Sequence, residues 1–369
     1  LMNIMDKSFF GKTGITTDKP VSPYLTWEKT RQYDLGLDMD MFNYRLNVKL
    51  DYYYKYTSSL IYDIPIPGSL YAFGAQVENA MEISNEGLEL ELQADILRES
   101  AVSWRMKFNM ARNWNRFEKS YSGKDVVDGD GTLLVVGRPL NGLYVWAHRG
   151  YYNSDAEVPR LYKIDGQEIY FNGVATNGIS GAVGDYRLLD LDGDGNPDSY
   201  YAGSPLPLAH GGWVNELMWK NFDLNVLVNF TIGRKMINNR MGLGFSRQSE
   251  DGHLTKLFDY RKLRPWDGVN KKPNAPAWGN SLSMNTDSAI EKVHHLALKQ
   301  ITLGYNLPDR ISKKAGLSGV RFFLTAENLF YLSNYSGGNP EVVNIYTGRD
   351  NGDTYPLPRK YTLGLTLNF

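Results

Sequence analysis

The chain is predicted to be all-β, giving about nine strands of a transmembrane antiparallel β-barrel. Three observations carry this: runs of strict period-two alternation, strands too long for an ordinary soluble sheet, and connections that alternate between tight and very long. Side chains of a strand point to opposite faces in turn, so alternation yields one apolar and one polar surface. A tilted strand needs roughly 9–11 residues to cross a bilayer.

The alternation is plain along the chain. Leu46, Val48, Leu50, Tyr52, Tyr54 and Tyr56 fall on one side, with Asn47, Lys49, Asp51, Tyr53 and Lys55 on the other. Leu88, Leu90 and Leu92 alternate with Glu89, Glu91 and Gln93. Phe222, Leu224, Val226, Val228 and Phe230 alternate with Asp223, Asn225 and Asn229, and Leu227 is the one apolar intruder. Tyr361, Leu363, Leu365, Leu367 and Phe369 close the series against Thr362, Gly364, Thr366 and Asn368. The runs place strands at 28–40, 44–57, 82–97, 102–117, 212–220, 222–232, 294–306, 319–332 and 358–369. Tight turns near Asn43, Arg98 and Lys220 alternate with long links at 58–81, 118–211, 233–293 and 333–357, and 307–318 is intermediate. Outer-membrane barrels have this rhythm, with short periplasmic turns and longer outer loops. By parity both the first and the ninth strand descend, which makes 1–27 an extracellular loop segment and the chain the trailing part of a larger barrel. The Leu1 start, with no charged and apolar leader, reads as a mature product or an internal fragment.

Composition agrees and excludes. Of 369 residues, 25 are Tyr, 15 Phe, 8 Trp and 36 Gly, a β-rich alphabet. Lys+Arg at 40 against Asp+Glu at 41 removes the cationic surplus that nucleic-acid binding needs. With no Cys, disulfides, thiolate metal sites and a cysteine nucleophile are excluded. No apolar run is long enough for a membrane-spanning helix, which leaves strand-crossing open.

The sharpest chemical motif is Asp190-Leu191-Asp192-Gly193-Asp194-Gly195-Asn196-Pro197-Asp198. Carboxylates at loop positions 1, 3, 5 and 9 with Gly at 6 follow a calcium loop, so Asp190, Asp192, Asp194, Asn196 and Asp198 are expected to hold a structural Ca²⁺. The bidentate Glu is missing, since Tyr201 stands at position 12, and an Asx-rich turn is the plainer alternative. Asp125, Asp128 and Asp130 form a weaker copy, read as a loop. Glu89, Glu91 and Asp95 line one strand face and read as a hydrated wall. His294 and His295 point to opposite faces and cannot chelate one ion together. No nucleophile–base set emerges, and no enzyme is expected. Tyr52, Tyr53, Tyr54, Tyr56, Trp104, Trp114, Trp213 and Trp219 suit an interfacial girdle. Tyr144, Trp146, Tyr151 and Tyr152, inside the longest link, are candidates for substrate or partner contact.

These features, in this order, carry a resemblance. Leu25-Thr26-Trp27-Glu28-Lys29-Thr30, Tyr33-Asp34-Leu35-Gly36-Leu37-Asp38, Asp51-Tyr52-Tyr53 and Asn85-Glu86-Gly87-Leu88-Glu89-Leu90 come first. The Asp190–Gly195 stretch, Lys299-Gln300-Ile301-Thr302-Leu303-Gly304-Tyr305 and Ala326-Glu327-Asn328-Leu329-Phe330 follow. Tyr335-Ser336-Gly337-Gly338-Asn339-Pro340-Glu341 and the ending Tyr361–Phe369 complete the series. From about Leu25 to Phe369 the chain resembles the C-terminal part of the SusC/RagA-type family of TonB-dependent outer-membrane transporters. The resemblance implies a 22-stranded barrel with a plug and a TonB-contacting segment, capped by a SusD-like surface lipoprotein and importing oligosaccharides or peptides. This chain would supply the last nine strands. The remaining barrel, the plug and the contact with TonB would come from a portion not in this sequence. Leu365, Leu367 and Phe369 resemble the C-terminal signal read by the barrel-assembly machinery. A secreted, calcium-stabilised β-rich adhesin or glycan-binding module is the alternative.

Overall fold

A computed structural model describes residues 2–9, 12–17, 21–67, 74–98, 100–127, 132–158, 160–162, 168–170, 183–193, 198–239, 264–269, 272–277, 286–352 and 354–369. Nine long strands dominate: β1 (Lys29–Met41), β2 (Leu46–Pro65), β3 (Ala75–Leu97), β4 (Val102–Lys119), β5 (Ala209–Trp219), β6 (Phe222–Asn238), β7 (Ile290–Asn306), β8 (Gly319–Ser333) and β9 (Lys360–Asn368). Each is hydrogen-bonded to its neighbours in chain order, so the sheet is a meander with β1 and β9 at its two edges. The short strand Arg349–Asp350 adds to β6 in parallel at Ile237 and Asn238.

Register explains the alternation. Leu224 of β6 lies opposite Leu303 of β7, Leu303 opposite Leu324 of β8, and Leu324 opposite Leu363 of β9. One residue on, Asn225, Thr302, Thr325 and Thr362 form the matching polar row. Apolar rows therefore collect on one face and polar rows on the other, as period two requires. The apolar face is not covered: Leu303, Phe322, Leu324, Leu363 and Leu365 are all exposed. Every residue of β1 is exposed, and in β9 only Gly364 is partly covered.

Strand existence matches the sequence reading, but strand ends do not. Strand β2 runs on to Pro65 and β3 starts at Ala75, so much of the expected 58–81 link is paired strand. Ser59, at φ 58°, breaks the alternation there and hides the continuation. Likewise β6 continues past 232 to Asn238 through a bulge between Thr231 and Arg234, where Gly233 has φ 72°. Only a residue without a Cβ takes that conformation at no steric cost. The expected 1–27 loop segment holds a hairpin, Met2–Phe9 with Lys12–Thr17. The 118–211 link holds Val126–Val127 paired with Leu133–Leu134, and Leu143–Trp146 paired with Ser199–Gly203. The pairings inside the 118–211 link are too short or too distant in sequence to show a period.

The chain divides into two compact units, 1–39, 48–91 and 111–142 against 40–47, 92–110 and 143–369. In the first, Met81, Phe117, Val126 and Leu134 form a buried cluster. In the second, one cluster joins Leu143, Val145, Ala202, Ile237 and Ala289, and another joins Met236, Val293, Tyr335 and Val343. All three lie where the long links meet the strands. The hydrophobic cores thus belong to the loop ends, while the strand bodies turn their apolar side chains outward.

Candidate functional site

The polar face is built from paired charges. Arg105 of β4 meets Asp95 of β3 at 2.7 Å, and Lys107 of β4 meets Glu216 of β5 at 2.9 Å. Arg321 of β8 reaches past β7 to Asp223 of β6 at 2.5 Å, and Lys360 of β9 meets Glu327 of β8 at 3.3 Å. The long Arg321–Asp223 pair is possible because Gly304 of β7 lies beneath it, where a Cβ would collide with both side chains. Gly364 in the same polar register leaves room for the ring of Phe323, over which the Arg321 guanidinium sits at 5.3 Å. Such exposed pairs contribute little stability, typically below about 1 kcal/mol. Their effect is to hold a hydrated wall of balanced charge. Asp95 of the expected carboxylate ladder is thus ion-paired.

A second construction is a strap made from the β8–β9 connection. Arg234, 4% exposed, donates to the carbonyls of Pro205 (3.2 Å), Pro340 (3.2 Å), Val343 (2.9 Å) and Asn344 (2.6 Å). The motif at 335–341 supplies the rest. Tyr335 donates to Asp350 at 2.8 Å, Ser336 N–H donates to Glu291 at 2.9 Å, and Asn339 caps a short 3₁₀ turn by accepting from Glu341 N–H at 2.9 Å. Glu341 accepts from Lys299 at 3.2 Å, and Lys299 is the extra residue of a bulge in β7. Arg234 is missing from the sequence reading, because an arginine whose partners are backbone carbonyls leaves no side-chain pattern to find.

The aromatic candidates separate into two kinds. Tyr144 and Trp146 are half-buried on the strand Leu143–Trp146, whose alternate residues Leu143 and Val145 face the core. The Tyr144 ring lies 5.6 Å from that of Tyr201. Tyr151 and Tyr152 are buried instead, at 9% and 6% exposure. Tyr151 stacks at 5.3 Å on Tyr186, whose hydroxyl is 2.9 Å from Ser288 Oγ. The edge of His148 meets the same Tyr186 ring, and His148 Nδ1 contacts Asp287, which also accepts from Tyr200 at 3.2 Å. Burial pushes the phenols of Tyr151, Tyr152 and Tyr186 above their ordinary value. His148 and Asp287 are far apart in sequence and went unread.

In the acidic loop, Asp190, Asp192 and Asp198 bring carboxylate oxygens within 4.8 Å of one another. Asp198 accepts from the N–H of Leu191 (2.5 Å) and Asp192 (3.1 Å), and Asp190 from that of Gly193 (2.6 Å). Gly193 has φ 84°, the turn the motif needs. Asp194 and Asn196 lie outside the described residues. The donor set suits a hard cation.

Of the aromatics expected in a girdle, Trp219 stacks on Phe222 at 6.3 Å with Lys220 above its ring, and Phe222 meets Tyr305 at 4.7 Å. Trp104 donates to Asn215 at 3.2 Å, satisfying a polar residue on the apolar side of β5. At the C-terminus Leu365 pairs with Phe322, Leu367 with Val320, and Phe369 is 93% exposed.

Comparison with known proteins agrees with this geometry. The family profile described as TonB dependent receptor-like, beta-barrel, matches residues 6–201. TonB-dependent receptor P26 of Formosa agariphila is 30% identical over 383 residues, covering 97% of this chain and 36% of that protein. TonB-dependent receptor SusC of Bacteroides thetaiotaomicron is 27% identical over 375 residues, covering 98% and 34%. The structure of the RagAB peptide transporter superposes with a TM-score of 0.76 at 23% identity, over 100% of this chain and 38% of that one. The chain therefore spans about a third of the length of the curated relatives it matches. A meander with an uncovered apolar face and a charged polar face, matched over more than half its length by that profile, belongs to the TonB-dependent receptor β-barrel family of the bacterial outer membrane.

Proposed function

We propose that the chain forms a sector of the wall of a SusC/RagA-like TonB-dependent transporter that imports oligosaccharides or peptides. The observation that carries this is that, among the described residues, β1 and β9 each pair on one side only, at the edges of a sheet whose apolar face is exposed. A sheet edge cannot be left open in hydrocarbon, since each unsatisfied backbone group costs several kcal/mol. Further strands must complete the barrel, and β1 and β9 are where they pair. The polar face with its ion pairs then lines the conduit. The plug and the contact with TonB belong to the completing portion. A SusD-like lipoprotein docks on the loop ends; support comes from the relative named SusC and the likeness to the RagAB transporter.

Within this reading, Tyr144 and Trp146 are the ligand- or partner-facing aromatics, and Tyr151 and Tyr152 support them from the core. Leu365, Leu367 and Phe369 serve as the assembly signal. A Ca²⁺ held by Asp190, Asp192 and Asp198, with Asp194 and Asn196 in the same loop, fixes the 190–198 turn. Adding a chelator to the purified protein should lower its melting temperature, and Asp190→Asn with Asp192→Asn should abolish that response; a melting temperature indifferent to calcium removes the ion from the account.

Import is tested by growth. A strain lacking the gene should fail on either a peptide or an oligosaccharide as sole nutrient and recover with the wild-type gene. Tyr144→Ala with Trp146→Ala should slow recovery without reducing the amount of protein in the outer membrane. Unimpaired growth of the deletion strain on every such nutrient would contradict the importer reading.

A further inference from the structure

A concavity lies on the apolar face, near the loop end of β4 to β8. Its volume is about 720 Å³, and Phe108, Met110, Trp213, Phe230, Leu296 and Leu332 supply its apolar walls. Register shows why it exists. Gly211 of β5 lies opposite Phe230 of β6, Phe230 opposite Leu296 of β7, and Leu296 opposite Leu332 of β8. Where that row crosses β5 there is no side chain. A Cβ at Gly211 would collide with the backbone of Asn109, so only glycine fits, and the rings of Phe108 and Phe230 stack at 5.8 Å across the gap. The bulge after Thr231 displaces Ile232, 42% exposed, at the upper rim.

The polar rim lies at one end only. His294 borders the groove and Lys292 stands two residues further on the same face of β7, both exposed. Ser333 and Asn334, also on the rim, are spent on the backbone: Ser333 donates to His294 O at 3.0 Å, and Asn334 accepts from His294 N–H at 2.7 Å and donates to Lys292 O at 2.8 Å. The neighbouring His295 also borders the concavity, and its ring Nε2 lies 3.9 Å from Glu341. The groove is thus an apolar slot, continuous with the lipid-facing surface, with the imidazole of His294 at its rim and Lys292 two residues beyond on the same strand face. This is the polarity of an anionic amphiphile.

We propose that this groove is a specific lipid site: an acyl chain of an anionic bilayer lipid lies along Phe108, Phe230 and Leu296, and its phosphate is met by Lys292 and His294. Charge complementarity and continuity with the membrane face select a lipid over a soluble ligand. The site holds one lipid in a fixed pose beside the strand ends that carry the strap.

Native mass spectrometry of the intact protein, exchanged into micelles doped with phosphatidylglycerol or with phosphatidylcholine of the same chains, tests this. Wild type should keep one phosphatidylglycerol under activation that strips phosphatidylcholine. Ile232→Trp, which fills the slot from an exposed position, should lose that adduct, and Leu332→Trp serves if the first variant folds poorly. Lys292→Ala with His294→Ala should reduce the preference for the anionic lipid several-fold. Leu363→Trp, on the same face far along the sheet, should change nothing. Retention of the adduct in both slot-filling variants, or equal loss in Leu363→Trp, overturns the proposal. So does an acyl adduct present only when a lipoprotein copurifies. Failure of the protein to enter micelles at all would instead strike at the barrel reading.

Discussion

At the scale of single residues, one register step decides whether a side chain meets lipid or water. Leu324 and Thr325 are neighbours in β8, yet Leu324 belongs to the exposed leucine row and Thr325 donates or accepts at 2.9 Å with Thr302 across the polar face. Leu324→Arg should cost about 2–4 kcal/mol on folding into lipid vesicles, and Thr325→Arg less than about 1 kcal/mol. Urea titration of the reconstituted protein reads both; equal penalties would mean that the faces are wrongly assigned. The buried tyrosines give a second test at this scale. The phenols of Tyr151 and Tyr186 are raised by burial, so folding favours their neutral form. Their contribution is complete below the unfolded value near pH 10 and is lost as pH climbs through the higher folded values. Phenolate absorbance should therefore show a class that titrates above pH 10, together with loosening of the loop ends. A single titration near pH 10 would place these rings in water.

At the scale of elements, Arg234 makes the most bonds to the strap, beside the anchors from Glu291 and Lys299. Arg234 satisfies carbonyls from two separate links; removing it takes the donor from the Pro205 and Val343 oxygens, while Pro340 and Asn344 still accept from the N–H of Val343 and Gly348. Each such group costs about 1–3 kcal/mol, so Arg234→Met should free the strap while β7 and β8 stay paired. Hydrogen exchange over 335–350 should rise by orders of magnitude in the variant and remain slow in 296–305. Unchanged exchange at 335–350 would show that Met236, Val293, Tyr335 and Val343 alone suffice. The elements also show how far the sequence could be read. All nine strands of the meander were legible, because a sheet with one oily and one wet face writes period two into the chain. Their ends were not: Ser59 and Gly233 take left-handed conformations, and the bulge at Gly233 throws the alternation out of phase. The loop-end cores were hidden for a different reason. Leu143–Trp146 pairs with a segment more than fifty residues away, and Arg234 recognises backbone, which carries no residue code. At the candidate sites, the Asp190–Asp198 spacing announced a convergence of carboxylates, whereas buried Tyr151 and Tyr152 could not be told from half-buried Tyr144 and Trp146 by composition.

At the scale of the whole molecule, the usual arrangement of a folded chain is inverted. Most globular domains turn strand apolar faces onto a shared core. Here large exposed apolar residues run along β1 (Tyr33, Leu35, Leu37, Met39) and along β8 and β9 (Phe322, Leu324, Leu363, Leu365), and the buried clusters lie at the loop ends. Two open edges and an uncovered face are costly in water, but in a completed barrel the first are paired and the second is solvated by lipid. The measurement that bears on this most directly uses the lack of cysteine in the chain. Single cysteines placed in turn at 321 to 326 of β8 in the intact protein, spin-labelled and reconstituted, report collision with oxygen dissolved in lipid or with a water-soluble nickel chelate. Oxygen access should peak at 322, 324 and 326, and nickel access at 321, 323 and 325. A run with no alternation, or with 322, 324 and 326 shielded from both probes, would mean that these side chains face a protein core and that the chain is no barrel wall.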